Sequence, residues 1–267
     1  MSGRGRGLVA LGFFLARRGA TAAIALALTL ASVVGFGVLA FILARHGKHA
    51  SLDGVPLVAS SALAYGIGVL VAFAVSTRVF RRDEDEGVRA LLDARGVHAS
   101  AYLGARVVGL TALLAILVAG GSAAVGLVTL LAARSREGAG HTVQATLAAI
   151  AFGLAFALVF APVAMATLGA RSRGGGYLAL LSVLVVPEIV EPFFSRRIPE
   201  RWLEVCSIPG ALVGLRTSLA PVGVDALLLG RALVALAVIL VAALAIVRLE
   251  LLRAHGSTPH GRSSRPK

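Results

Sequence analysis

Residues 78–106 read RVFRRDEDEGVRALLDARGVHASAYLGAR. They form the one long charged segment between apolar blocks, and their reading decides what kind of chain this is. Start and stop signals for a helix are both present. Asp83 is placed as an N-cap, and Glu86 three residues on completes a variant of the capping box. Glu84, Asp85 and Glu86 put negative charge at the positive end of the helix dipole. Val88, Leu91 and Leu92 share a face at the i, i+3, i+4 spacing. Arg89 and Asp93 stand four apart on another face and can pair across one turn. Arg95 suits the negative end, and Gly96 offers a left-handed cap. Gly87, in the first turn, costs about 1 kcal/mol relative to alanine. The pattern predicts a helix over 84–95, a rod of about 18 Å. That is too short to cross a bilayer and too charged to enter one. Two roles fit it: a connecting helix whose apolar stripe lies on lipid headgroups, or a rod presented to a soluble partner.

Outward from this segment the chain turns apolar. It has 267 residues, 58% hydrophobic and only 15% charged, where a soluble domain carries about 25% charged residues. Mean hydropathy is +0.89. The reading is an all-α, polytopic membrane protein with six spans near 20–44, 55–77, 107–133, 142–168, 177–194 and 228–247. The charged segment then falls between the second and third. Gly120, Gly121 and Gly126 permit close helix packing in the third span, and Pro162 is placed to kink the fourth. Residues 1–19 read as an interfacial segment with its arginines among phosphates. Residues 195–227, amphipathic and interrupted by proline, read as short helices on the membrane surface. A single membrane domain over 1–253 is followed by a basic, disordered tail over 254–267.

The net charge of +13 would suggest nucleic acid in a soluble chain. Here the basic residues flank apolar spans, so orientation and anionic lipid account for them and nucleic acid is not expected. Six spans put both termini on one side. Of the 26 Lys and Arg, 17 lie on that side with segment 78–106, and 9 on the other. The excess places the termini and the segment in the cytoplasm.

This layout resembles the membrane subunit of ABC-2 type ABC transporters over most of the chain. The shared features are a cytoplasmic interfacial segment, six spans, a charged helical loop between spans two and three, and a Pro-bearing amphipathic connection before span six. In the loop the matching residues are Glu86-Gly87, Leu91-Leu92, Gly96, Tyr102 and Gly104-Ala105-Arg106. The stretch IPERWLEVCSIPGAL, residues 198–212, matches the family's Pro-containing segment. The chain differs from the family pattern at Gly96, often Pro, at Val88, often Thr, and at Arg106, which stands one position late. The resemblance implies a coupling helix over 84–95, in which Glu86, Gly87, Val88, Arg89, Leu91, Leu92 and Asp93 seat on an ATPase subunit. It implies a permease of the bacterial plasma membrane paired with a second copy or paralogue, with two ATPase copies, moving a hydrophobic, amphipathic or saccharide cargo. The alternative is a non-transporting component that recruits an ATPase for envelope assembly or mechanics. No G-x-x-x-x-G-K-[ST] phosphate loop occurs in the chain, so ATP and Mg are expected in the partner and no cofactor is expected here.

Glu188 and Glu191 are the carboxylates nearest a span interior, and such groups are candidates for function. They stand three apart, on one helical face. A substrate path or gate, proton coupling, and interfacial pairing with Arg196 and Arg197 all fit them. His46 and His49 make an H-x-x-H pair, two ligands without a third, so no metal is expected. Arg231 reads as snorkelling outward, with Asp225 as a possible partner. Cys206 is the only cysteine, which excludes an internal disulfide. No G-x-S-x-G elbow, H-E-x-x-H motif or paired intramembrane aspartate exists, so an intramembrane enzyme is not expected.

Overall fold

Long runs of Ala, Leu and Val with no charge must satisfy their backbone groups internally, and the helix does so within one segment. The computed structural model describes residues 3–17, 20–46, 52–77, 79–88, 91, 94–133, 136–169, 173–194, 207–221, 223 and 225–256, and among them regular structure is helical throughout. In chain order the helices are α1 (Gly3–Arg17), α2 (Ala20–His46), α3 (Gly54–Ser76), α4 (Val79–Asp85), α5 (Ala99–Ala115 continuing through Gly121–Ala132), α6 (Arg136–Leu168), α7 (Arg173–Phe194), α8 (Ile208–Ser218) and α9 (Ala226–Gly256).

Five of these, α2, α3, α5, α6 and α9, are long and apolar enough to cross a bilayer. This is an integral membrane protein. The expected fifth span, 177–194, falls within α7, whose apolar stretch Gly174–Ile189 is shorter than the other five. The expected tail begins later than the sequence suggested, because α9 continues as helix to Gly256.

α6 is the axis of the bundle. It touches α3, α5, α7, α8 and α9, and 67% of its most apolar window is buried, against 17% for α2 and 22% for α9. Phe152, Phe156 and Phe160 of α6 are fully buried and lead one core cluster that also takes in Leu63, Leu110, Leu114 and Leu212. Two of the helices around α6 are not regular. α3 widens into a π-helix over Ala62–Gly68, and α5 does so over Ile116–Gly120. The two widened segments touch each other. Such segments are frequent at functional positions because they re-aim side chains within an otherwise straight rod.

Two expectations are corrected here. The helix read over 84–95 is interrupted: α4 ends at Asp85, and Glu86 and Gly87 form a turn. Gly87 adopts φ +68°, a left-handed conformation that glycine reaches without a Cβ clash. Asp83 is therefore an interior residue of α4, not an N-cap. The second correction concerns 195–227. Its described helix, α8, does not lie on the bundle surface. Ile208, Ala211, Leu212 and Leu215 are buried in the main core, and α8 packs against α6 and α9. Its apolar face is satisfied by protein, so it has no need of lipid.

Candidate functional site

Two polar clusters are built into this apolar bundle, one toward each end. The first ties segment 79–106 to the bundle. α4 carries Asp83 inward, and one turn apart on α5 stand Tyr102 and Arg106. Arg106 donates from Nε to Asp83 Oδ2 at 3.0 Å and from Nη2 to Asp83 Oδ1, and the Tyr102 hydroxyl donates to Asp83 Oδ2. Arg106 Nε also lies 3.0 Å from the Tyr102 oxygen, and the guanidinium carbon is 5.8 Å from that ring's centroid. The Arg106 and Asp83 side chains are only 6% and 4% exposed, so this is a fork-to-carboxylate pair out of water. α1 closes the assembly. A Cβ on Gly12 would lie 1.9 Å from the Ala105 carbonyl oxygen, and one on Gly109 would lie 2.3 Å from the Gly12 carbonyl carbon. α1 and α5 therefore touch backbone to backbone one turn from Arg106.

Beyond this anchor the described residues are more exposed. Glu86 is exposed in the turn, and Val88 is helical and partly buried. The Leu91 amide donates to the Gly87 carbonyl at 3.2 Å, so a helical turn restarts after the break. Leu91 is 65% exposed. Ala94 is again helical, and Gly96 at φ +66° is left-handed, the conformation of a helix cap. Arg89, Leu92 and Asp93 lie outside the described residues.

The second cluster lies around Glu188. Near the C-terminal end of α7, Glu188 accepts through Oε1 from the Ser207 hydroxyl. Ser207 is the N-cap of α8, and its Oγ accepts from the Gly210 amide at 2.8 Å. The carboxylate is thus held at the positive end of α8. Glu191 follows on α7, one turn further along. At the other end of α8, Arg216 reaches α3. It donates from Nη1 to the Leu57 carbonyl at 2.8 Å and to Ser61 Oγ, just before the π segment, and its guanidinium carbon stands 5.3 Å from the Phe152 ring centroid. Partial burial lowers its pKa from the ordinary arginine value, and Tyr65 nearby acts in the opposite sense.

Tyr65 is presented by the π segment of α3. Its ring meets Phe152 and Phe156 edge-on, each with a centroid separation of 6.2 Å. Between Tyr65 and Glu188 lies a cavity of about 280 Å³. Its walls are Val69 of α3, Phe156 and Phe160 of α6, Leu184 and Val185 of α7, and Ile208 at the start of α8. Among the described residues Tyr65 and Glu188 supply its polar side chains. Chemically the arrangement can take an apolar body and hold one polar end against a carboxylate and a phenol. No group of three or more His, Cys, Asp or Glu able to hold a metal occurs among the described residues. His46 ends α2, while His49 lies outside the described residues. Asp225, weighed as a partner for Arg231, caps α9 by accepting from the Leu227 and Leu228 amides, each at 3.0 Å.

Sequence reasoning missed Asp83's true partner, as well as Tyr65, Ser207 and Arg216. One signal was available: Arg216 is the sole charge between Glu204 and Asp225. A lone arginine in an apolar stretch asks for a buried partner. The chain matches no family model, and no curated protein or solved structure is significantly similar to it.

Proposed function

We propose that this protein is the membrane subunit of an ABC-2-like transporter, driven by a separate ATPase that docks on the segment between α3 and α5. The observation that carries this reading is the contrast within that segment. Its root is fixed by a buried ion pair, while further along the segment a large apolar residue, Leu91, stands 65% exposed. A single apolar side chain on a surface needs no explanation. One held out on a turn whose base is clamped into the bundle suits a groove on another protein.

On this reading α7 completes a sixth crossing, both termini face the cytoplasm of a bacterial cell, and ATP and Mg belong to the partner. Closure of the two ATPase copies moves the docked segment as a rigid body, and α3 and α5 carry the shift into the bundle. The lightly buried faces of α2 and α9 meet lipid and a second copy or paralogue. The cargo is hydrophobic, amphipathic or saccharide.

The test is a double substitution, Leu91→Asp with Leu92→Asp. Membrane insertion should be retained, while co-purification of the ATPase and stimulation of its hydrolysis should be lost. Undiminished stimulation in the inserted double variant would remove the docking claim.

A further inference from the structure

The geometry points to the cavity between α3, α6, α7 and α8 as a binding site for a single-chain amphiphile with a cationic end, its chain against Phe156 and Phe160 and its ammonium against Glu188. Size comes first. At about 280 Å³ the cavity sits at the lower edge of the range for small-molecule sites, roughly 300–1,000 Å³. It has room for one chain and none for a folded polar body. Lining comes second. A saccharide needs many hydrogen-bonding partners, and two polar side chains do not provide them. An aliphatic chain needs only apolar wall, which is most of what the cavity offers.

Charge decides the polar end. Glu188 is the one carboxylate among the described residues of the lining. Ser207 satisfies one of its oxygens, while an ionised carboxylate can accept about four hydrogen bonds. An ammonium that completes those bonds makes charge-assisted hydrogen bonds to the carboxylate. An anionic end would be repelled at the same position. Leu184 and Val185 lie on the partly open side of α7, so a ligand can enter sideways from lipid without passing through water.

As the cargo site of the proposed transporter, this site rests on that reading. As a binding site it needs no motor, so the experiment below can fail while ATPase coupling stands, and the reverse.

The test uses the full chain in phosphatidylcholine nanodiscs. Two photoreactive dodecyl probes carry a diazirine in the chain and end in either ammonium or sulfate. Labelled peptides are mapped and quantified by mass spectrometry. The ammonium probe should label the segments around Tyr65 and Val185 with at least about a tenfold preference over the sulfate probe, a difference of about 1.4 kcal/mol. Glu188→Gln should bring the two probes to parity. Ser207→Ala, which breaks the same hydrogen bond but keeps the charge, should leave the preference in place. Val185→Trp, filling the cavity, should suppress both labels. Adding phosphatidylethanolamine to the nanodiscs separates the sources. Competition assigns the site to a bilayer aminolipid, and its absence assigns it to a free amphiphile. Equal labelling by the two probes in the unaltered protein overturns the proposal. So does a preference that survives Glu188→Gln, or labelling that Val185→Trp does not reduce.

Discussion

At each end of the bundle an arginine is turned into protein, Arg106 at one and Arg216 at the other, and the two are held by different chemistry. Arg106 faces a carboxylate, Asp83, 23 positions earlier in the chain, with a tyrosine hydroxyl closing the triangle. Arg216 faces a backbone carbonyl, a serine hydroxyl and the face of Phe152, with no carboxylate among the partners that fix it. The first arrangement joins α4 to α5 by charge in a nearly dry site. The second joins α8 to α3 by neutral acceptors in a half-buried one. A dry ion pair tolerates no half measures, since removing one member leaves the other charged and unsolvated. A guanidinium among neutral acceptors can lose one of them and re-solvate. The difference suits a clamp at the end where segment 79–106 is anchored, and an adjustable joint beside the cavity.

The sharpest way to break this comparison is Asp83→Ala. It should destabilise the protein by about 3–5 kcal/mol, the cost of orphaning a buried charge, read as a fall in the thermal midpoint of the purified protein in detergent. Asp83→Leu combined with Arg106→Met should lose much less than either single change, because no charge is left stranded. If the double variant is as unstable as Asp83→Ala, the triangle is not the clamp described. A second test of the clamp comes from α1. Gly109→Val drives two methyl groups into the Gly12 backbone and should cost about 1–3 kcal/mol through overpacking, with α1 gaining susceptibility to protease. The joint at the other end should respond more gently. Arg216→Lys keeps the charge but loses the planar fork and its stacking on Phe152, and should cost about 1–2 kcal/mol. A loss as large as that of Asp83→Ala would erase the distinction between clamp and joint.

Much of the architecture was legible because it depends on local pattern. Five of the six expected apolar runs, four of them without charge and one carrying only Arg231, became long helices, and the left-handed Gly96 follows from its place after a basic last turn. The misreadings share one cause. Asp83 has every local mark of an N-cap, with three acidic residues behind it, and a capping bond contributes about 1 kcal/mol. A pairing with Arg106 from the next long helix outweighs that, and nothing in the spacing of residues 78–96 announces it. Residues 208–218 have the same ambiguity. Their apolar stripe would serve equally on lipid or on protein, and only the presence of α6 beside them decides. Glu188 was marked by its own charge, but its partner Ser207 lies 19 positions later in the chain, and the cavity is made by four helices at once. The π segment that presents Tyr65 has no counterpart in the sequence pattern, since ALAYGIG reads as ordinary apolar helix.

The finest probe of the comparison is Tyr102→Phe against Ser61→Ala. Each removes one hydroxyl from an arginine cluster. At Tyr102 the hydroxyl donates to Asp83, whose two oxygens also accept from Arg106. Its loss leaves the ion pair formed, so the cost is that of one buried hydrogen bond to a charged group, about 1.5–3 kcal/mol at most. The Phe ring keeps the apolar wall and the ring face toward Arg106, so the observed loss should fall at or below the lower end of that range. At Ser61 the hydroxyl only accepts, Arg216 keeps the Leu57 carbonyl, and the site is half open, so water can replace what is lost. That cost should be about 0.5 kcal/mol. Tyr102→Phe should therefore be the more damaging of two similar deletions. The order follows from where the nearest carboxylate lies, and a reversed order would mean that depth of burial does not separate the two ends of the bundle.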